Sequence, residues 1–382
     1  MSTAVQSLVE QIRGARAAGS PLRIAGGGTW MNAGAPCDAT TRLAIAPLRG
    51  LVEYEPGDLT LTARAGTSLA ELDAVTAAHG QWVALDPFGE RDGTLGATIA
   101  TGSSGPLALG FGTPRDQLLG CEFVTGAGDV VQAGGRVVKN VAGFDLVRLM
   151  TGAWGTLGVL TEITVRLGAR PEVDTTVAIA VDTRDGVEAA RRWLRASEFS
   201  PAAAELLSRR AAQRVTATPA MTGTTLLLRY CGNPRLVRAA LDAARTIGEP
   251  VMIDTSVWSA LALSDGPASA TVRLSTSPSR VTALWSAAVA VAEAAAGHAH
   301  ASLARGVVRC VLPFTDTSAG EVARLRAAFD LLPAATRIVE RTPPALWRAV
   351  SRCAVDDALS AGVRRAFDPD RLLNRGILGD GT

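Results

Sequence analysis

Residues 22–29 read Leu22-Arg23-Ile24-Ala25-Gly26-Gly27-Gly28-Thr29, a short strand that stops on three glycines and a threonine. Glycine has no Cβ, so the backbone here can approach a ligand closely. Successive N–H groups turned inward then form an anion-binding nest. A diphosphate is the natural occupant of such a loop. No Gly-Lys-Ser/Thr follows, so it is not a Walker loop. No G-x-G-x-x-G opens a helix and Pro36 soon breaks the pattern, so it is not a Rossmann fingerprint. Taken alone, the stretch is either a phosphate site or a plain turn.

Upstream of it, Val5, Leu8, Val9 and Ile12 fall at i, i+3, i+4 and i+7 and predict an amphipathic helix. Downstream, strands are expected at about 42–46 and 58–64, then a helix at about 68–79 opened by the cap Ser68. From residue 117 the chain turns to hairpin chemistry, with strands at 118–125 and 130–132 around Gly126-Ala127-Gly128-Asp129. A short helix near 143–151 and an alternating strand over 157–167 complete a second α+β part, and 168–171 reads as a domain exit. The first domain is therefore expected over 1–170, in two α+β parts that divide near 85. Residues 171–342 alternate strands (176–181, 225–230, 270–276, 307–312) with helices (184–196, 234–247, 278–296, 318–332). That order predicts an antiparallel sheet covered on one face by helices, a ferredoxin-like arrangement. Residues 343–382 add two helices and a turn-rich end that returns to the first domain. The fold class is α+β.

Composition narrows the function. The chain has 382 residues, 47% hydrophobic, enough for two or three packed domains. Lys139 is the one lysine among 38 basic residues; 36 acidic residues bring the formal charge to +2. That balance, with no basic run, speaks against nucleic acid as a partner. Glycine is plentiful (39) and aromatics are few (4%), which favours recognition through backbone over stacking platforms. The five cysteines (Cys37, Cys121, Cys231, Cys310, Cys353) form no C-x-x-C pair, so no disulfide framework or metal cluster is read from them. Glu10 and Arg13 in a segment without an apolar core argue against a signal peptide. Residues 93–114 carry no charge, but they are rich in Gly, Thr, Ser and Pro and read as a loop, not a membrane span. A soluble cytoplasmic protein is expected.

Within that uncharged segment, Thr94-Leu95-Gly96-Ala97-Thr98-Ile99-Ala100-Thr101-Gly102-Ser103-Ser104-Gly105 is built from small residues. Small residues let a flat ring lie against backbone, and the hydroxyls supply orienting hydrogen bonds. Gly112-Thr113-Pro114-Arg115-Asp116 follows, then Lys139–Leu149 (KNVAGFDLVRL) and Gly155–Glu162 (GTLGVLTE). Any one of these suits a tightly packed sheet core equally well. Together, in this order, they resemble the vanillyl-alcohol-oxidase-type (PCMH-type) FAD-binding flavoproteins. Within these the chain is most similar to the FAD-binding subunits of glycolate oxidases. The tail, with Phe367-Asp368-Pro369 and Leu373-Asn374-Arg375-Gly376, carries the same resemblance at the other end of the chain.

The resemblance implies a two-part FAD-binding domain followed by a cap domain. It implies that Gly26, Gly27, Gly28 and Thr29 hold the FAD diphosphate, with Trp30 packed on the cofactor or on the core. Pro87, Thr94, Gly96, Thr101 and Ser103 would line the isoalloxazine and ribityl region. Gly158 and Val159 would meet the adenosine half, and Asn374 would return toward the flavin. Arg115, Asp116 and Lys139 join this set as further cofactor-binding candidates; Lys139 either touches FAD or pins its loop. The diphosphate loop, AGGGTW, lacks the His that attaches flavin in some relatives, and nothing about Cys37 or Cys121 favours attachment. Non-covalent FAD is expected.

In the cap, the acidic metal- and substrate-binding run of many relatives is missing. Only Gly297-His298-Ala299-His300 stands at a comparable place, with no carboxylate near it in sequence. No metal is expected there. His298 and His300 are either a base near the flavin or polar residues at a helix–strand junction. Arg229, Arg273 and Arg309 each interrupt an apolar strand and either face solvent or point toward a substrate carboxylate. Arg229 and Arg273 are the candidates, because both fall in family-like segments. The implied activity is oxidation of a small 2-hydroxy acid of the glycolate or D-lactate class. A second FAD subunit and an iron–sulfur subunit are the implied partners, able to hold the chain at the inner membrane's surface. The alternatives are an FAD-binding relay or assembly subunit without a substrate site, and an independent alcohol or sugar oxidase.

Overall fold

The computed structural model describes residues 2–39, 41–135, 144–216, 223–333, 336–350, 355 and 357–379. Lys139 and the expected KNVAG segment lie outside them. The chain divides into two compact units, one of residues 1–104, 111–170 and 352–382, the other of residues 105–110 and 171–351. The sequence expectation put the breaks after 170 and 342.

The first unit opens with α1 (Thr3–Ala17), whose apolar stripe Val5, Leu8, Val9 and Ile12 is buried as its spacing predicts. Strands β1 (Leu22–Ala25) and β2 (Thr41–Ala44) pair in parallel. An antiparallel sheet in the order β3-β4-β8-β6-β7 follows, from β3 (Leu51–Glu55), β4 (Thr60–Arg64), β6 (Leu118–Val124), β7 (Val130–Gly134) and β8 (Val159–Arg166). The short strands β5 (Gln81–Trp82) and β9 (Gly168–Ala169) form a separate pair. Helix α2 (Leu69–Ala77) is held by a full capping box between Ser68 and Glu71.

The uncharged stretch expected to be loop contains α3 (Leu95–Thr101) and α4 (Ala108–Phe111). Thr94 caps α3, its Oγ1 accepting the Ala97 N–H at 3.2 Å. Only Leu95 and Ile99 mark its buried side among small residues, so the sequence shows little helical periodicity. The remaining helices of this part are α5 (Pro114–Gln117) and α6 (Leu146–Met150).

The second unit carries eight antiparallel strands in the order β13-β10-β12-β11-β15-β16-β14-β17. They are β10 (Val173–Ala180), β11 (Ala203–Leu207), β12 (Thr225–Gly232), β13 (Val251–Ile253), β14 (Ser269–Ser275), β15 (His298–Ser302), β16 (Val307–Pro313) and β17 (Thr336–Arg341). Its helices are α7 (Arg184–Ala196), α8 (Arg209–Val215), α9 (Pro234–Ala244), α10 (Val257–Ala262), α11 (Val281–Ala294), α12 (Ala319–Leu331) and α13 (Pro344–Val350). Helix α11 packs on β15 and β16, and α9 packs on β10 and β12. Helix α10 reaches β10, where Trp258 Nε1 donates to Thr176 Oγ1 at 2.8 Å.

After α14 (Ala358–Phe367) the tail folds back onto the first unit. Leu22 donates its N–H to Leu372 O (2.8 Å) and Leu22 O accepts from Asn374 N (2.9 Å), so residues 372–374 run alongside β1. Asp368 fixes this return: its two carboxylate oxygens accept the N–H groups of Leu372 and Leu373, each at 2.9 Å. Burial pushes the Asp368 carboxyl up, and these two amides pull against it. Among the described residues no helix is long and apolar enough to cross a membrane.

Candidate functional site: a glycine-walled cleft in the first unit

β1 ends at Ala25 and the chain enters the glycine loop. Gly28 sits at φ +81°, a left-handed conformation that glycine adopts without cost. Among the described residues the N–H groups of Gly26, Gly27, Gly28 and Thr29 donate to no protein acceptor. They line a cleft that encloses about 1020 Å³ of atom-free space, its open mouth included. Gly26 and Gly28 are half-buried and Gly27 and Thr29 exposed; four donors without a protein acceptor, gathered in one loop of a cleft, suit an anion.

The opposite wall comes from α3. Its first amides are already taken: Leu95 N bonds Thr67 O at 2.9 Å, Gly96 N bonds Ala65 O at 2.8 Å, and Ala97 N bonds Thr94 Oγ1. Donor capacity for an anion therefore lies in the loop, not at the helix. Gly96 is needed for packing, because a Cβ there would stand 2.7 Å from Ala65 O. Gly26 has a similar reason, with Thr94 Oγ1 at 2.5 Å from a Cβ. The walls are small and uncharged; Arg23 and Glu90 are the charged residues that line the cleft.

Thirteen of the expected cofactor residues line this one cleft: Gly26, Gly27, Gly28, Thr29, Trp30, Pro87, Thr94, Gly96, Thr101, Ser103, Gly158, Val159 and Asn374. Arg115 and Asp116 do not. Asp116 instead takes the Thr113 N–H at 2.8 Å in a capping box, and these bonds hold its carboxyl below the usual range. The expected orienting hydroxyls are engaged within the protein. Thr101 Oγ1 donates to Ala97 O at 2.7 Å and Ser103 Oγ accepts the Phe88 N–H at 3.3 Å.

Asn374 reaches the cleft with both ends of its amide committed: Oδ1 accepts the Ile24 N–H at 2.8 Å and Nδ2 donates to Trp154 O at 2.7 Å. It clamps β1 to the 154–155 turn and shapes the site in that way. Trp154, at φ +54°, stacks on Trp30 with ring centroids 6.2 Å apart and planes 20° apart. Trp154 was not singled out in the sequence, although Gly155 beside it opens the GTLGVLTE segment. The clue was the αL-demanding Gly155, which leaves 2.8 Å between a Cβ and Asn374 Nδ2.

A family described as FAD binding domain matches residues 3–134. Residues 3–134, about a third of the chain, are thus similar to an FAD-binding domain. Glycolate oxidase subunit GlcE of Escherichia coli (strain K12) is 37% identical over 190 residues, covering 49% of this chain and 54% of that protein. D-lactate dehydrogenase of Archaeoglobus fulgidus is 33% identical over 199 residues, covering 50% of this chain and 43% of that protein. The matched segments thus span about half the length of these relatives. The solved structure of p-cresol methylhydroxylase with substrate bound superimposes with a TM-score of 0.78 at 15% identity, covering all (100%) of this chain and 88% of that one. This likeness shows the fold. The cleft fits the group that family is named for: free amides suit a diphosphate, and small flat walls suit a ring system.

The second unit was expected to hold substrate groups, and the structure corrects several of those expectations. His298 opens β15 just after α11, at the helix–strand junction, and His300 lies within the strand; both are buried. A carboxylate does stand beside them, with Glu205 Oε1 at 2.5 Å from His300 Nδ1, brought in by the pairing of β11 with β15. Burial first, then the charge of His300 and Arg214, pushes His298 down to about 3. Arg309, where solvent was one option, is buried between Asp265 (2.8 Å) and Glu340 (2.7 Å). Arg229 is half-buried and gripped bidentately by Asp174, at 2.8 and 2.5 Å. Arg273 is the least committed, 3.5 Å from Glu340. Strand register sets His300 opposite Arg309 and Arg309 opposite Arg273, one row on one face of the sheet. Among the described residues no three His, Cys, Asp or Glu side chains are grouped as metal ligands.

Proposed function

We propose that this protein is an FAD-dependent oxidoreductase, or the FAD-binding subunit of one, that oxidises a small 2-hydroxy acid of the glycolate or D-lactate class. The observation that carries the reading is the row of four free amides in the cleft. The substrate class rests on the relatives' own names, a glycolate oxidase subunit and a D-lactate dehydrogenase. Bound FAD supplies the hydride acceptor. The amides of Gly26–Thr29 hold its diphosphate, and Thr94–Ser103 and Gly158-Val159 form the walls that exclude water from the rings.

FAD is held non-covalently in this reading. Among the described residues that line the cleft there is no Cys or His. Cys37 is held by Arg23 and its thiol is pushed up by burial; Cys121 lies in the core, pushed up to about 12. Arg273, partly exposed and only loosely paired, binds the substrate carboxylate. His300 is fully buried against Glu205, which keeps it from the proton-accepting role toward a substrate hydroxyl. His298 is too weakly basic for that role near neutral pH. Arg229 is spoken for by Asp174, which removes it from the substrate set.

A second reading is favoured by the saturation of Arg229 and Arg309 within their own unit: an FAD-binding relay or assembly subunit, joined by a second FAD subunit and an iron–sulfur subunit. Anaerobic addition of glycolate and D-lactate to the purified FAD-loaded chain separates the two. Bleaching of the flavin band at about 450 nm supports a substrate site in this chain. Bound FAD that neither acid reduces leaves the relay reading. Arg273→Ala should abolish bleaching while leaving bound FAD in place; unchanged kinetics would remove the arginine from the substrate site.

A further inference from the structure

β1 and β2 pair with Arg23 directly opposite Arg42, so both guanidinium groups leave the same face of the two-stranded sheet. Like charges set opposite one another across a strand pair are destabilising. Among the described residues no carboxylate relieves them. Arg23 donates to neutral acceptors, Cys37 Sγ at 3.1 Å and the carbonyls of Met31 (3.3 Å) and Ala33 (3.4 Å). Arg42 makes no ion pair or hydrogen bond to a described residue. Other arginines of this unit behave differently: Arg16 meets Asp370, Arg49 meets Glu71, and Arg91 meets Asp73.

The unrelieved pair stands beside the glycine loop. A Cβ built on Gly28 would lie 3.0 Å from Arg42 Nη2, so this guanidinium overhangs the loop whose amides are free. Arg23 lines the cleft itself. Two guanidinium groups with no carboxylate among the described residues, Arg42's exposed and Arg23's half-buried, stand next to four N–H donors without a protein acceptor, a charge arrangement that a bound dianion would complete.

We propose that Arg42, with Arg23 beside it, supplies the counter-charge for the diphosphate held on the Gly26–Thr29 amides. This rests on the FAD reading above and adds a side-chain cation to a site whose other donors are backbone. It also gives FAD binding a salt dependence that amides alone would not give.

The test compares wild type, Arg42→Gln and Arg42→Lys as full chains, titrated with FAD and with riboflavin, which has no phosphate. Arg42→Gln should raise the Kd for FAD about tenfold at low ionic strength, with the difference closing at about 0.5 M salt. Arg42→Lys, which keeps the charge, should retain most of the affinity and show that loss of fold is not the cause. Riboflavin binding should change less than about twofold, since one guanidinium–phosphate contact is all that is removed. The proposal is overturned if Arg42→Gln binds FAD as wild type does at both salt levels. It is equally overturned if riboflavin weakens as much as FAD, since Arg42 would then support the loop and not the phosphates. Failure of the wild-type chain to bind either flavin would overturn the FAD reading beneath it as well.

Discussion

Among the described residues, Gly26, Gly27, Gly28 and Thr29 in the first unit find no protein acceptor for their four N–H groups at a cleft, and Arg23 and Arg42 beside them meet no carboxylate. In the second unit, Arg309 is fully buried yet held by Asp265 and Glu340, Arg229 by Asp174, and His300 by Glu205. The first region keeps its donors open at a cleft; the second pairs most of its charges internally, although His298 Nε2 and Arg341 Nε find no hydrogen-bond partner among the described residues. Unpaired donors and cations gathered at one cleft identify a binding site more firmly than polar groups that are merely abundant. This is why the cofactor half of the functional reading stands on geometry, while the substrate half rests on Arg273 and on relatives.

The contrast can be broken at several points. The largest effect is expected from Arg309→Met, which removes the buried guanidinium between Asp265 and Glu340 and leaves them, among the described residues, only Arg341 (3.0 Å) and Arg273 (3.5 Å). Denaturant unfolding should show a loss of about 3–5 kcal/mol; a neutral result would mean the network is not closed. Asn374→Ala removes the partners of the Ile24 N–H and Trp154 C=O together. We expect about 2–3 kcal/mol lost in stability, with weakened FAD binding because the clamp positions β1 and the Trp154 turn. FAD affinity equal to wild type would show that the clamp does not shape the site.

The pH response sharpens the same comparison. His298 is pushed down to about 3 from an ordinary value of 6.5, with His300, Arg214, Asp265 and Arg309 the charged groups acting on it. Its folded value is below its unfolded one, so the neutral form is favoured on folding. The stability this represents is complete above the unfolded pKa and is lost as pH falls through the window from 6.5 toward 3. Between pH 7 and 5 the loss should be about 2 kcal/mol, and His298→Gln should flatten that slope in urea unfolding. The smallest effect belongs to Arg229→Ala. Its pair with Asp174 is partly solvated, so about 0.5–1 kcal/mol is expected, with no change in flavin reduction by substrate. A tenfold loss of substrate reduction would return Arg229 to the substrate set.

The glycine loop, the hairpin around Gly126–Asp129 and the large strands of the second unit were legible because their signals are local: glycine runs, turn pairs and apolar alternation. Helix α3 was not, since its small residues mask a helical period that Thr94 capping and burial against the sheet enforce. Ala203–Leu207, with every residue buried, has the composition of a helix and becomes a strand only through its two neighbours. That same pairing delivers Glu205 to His300, a contact across 95 residues that spacing cannot reveal. Arg23 and Arg42 belong to no motif, and only the register of a parallel pair shows them side by side.

The central claim is that the cleft beside Gly26–Thr29 holds FAD through reversible contacts. It is tested most directly by titrating the flavin-free chain with FAD, following quenching of tryptophan emission, to which Trp30 and Trp154 in the cleft contribute. The account predicts saturation at one FAD per chain, with all flavin released to the supernatant on acid precipitation. Absence of saturable binding, or flavin that stays with the precipitated protein, would contradict it.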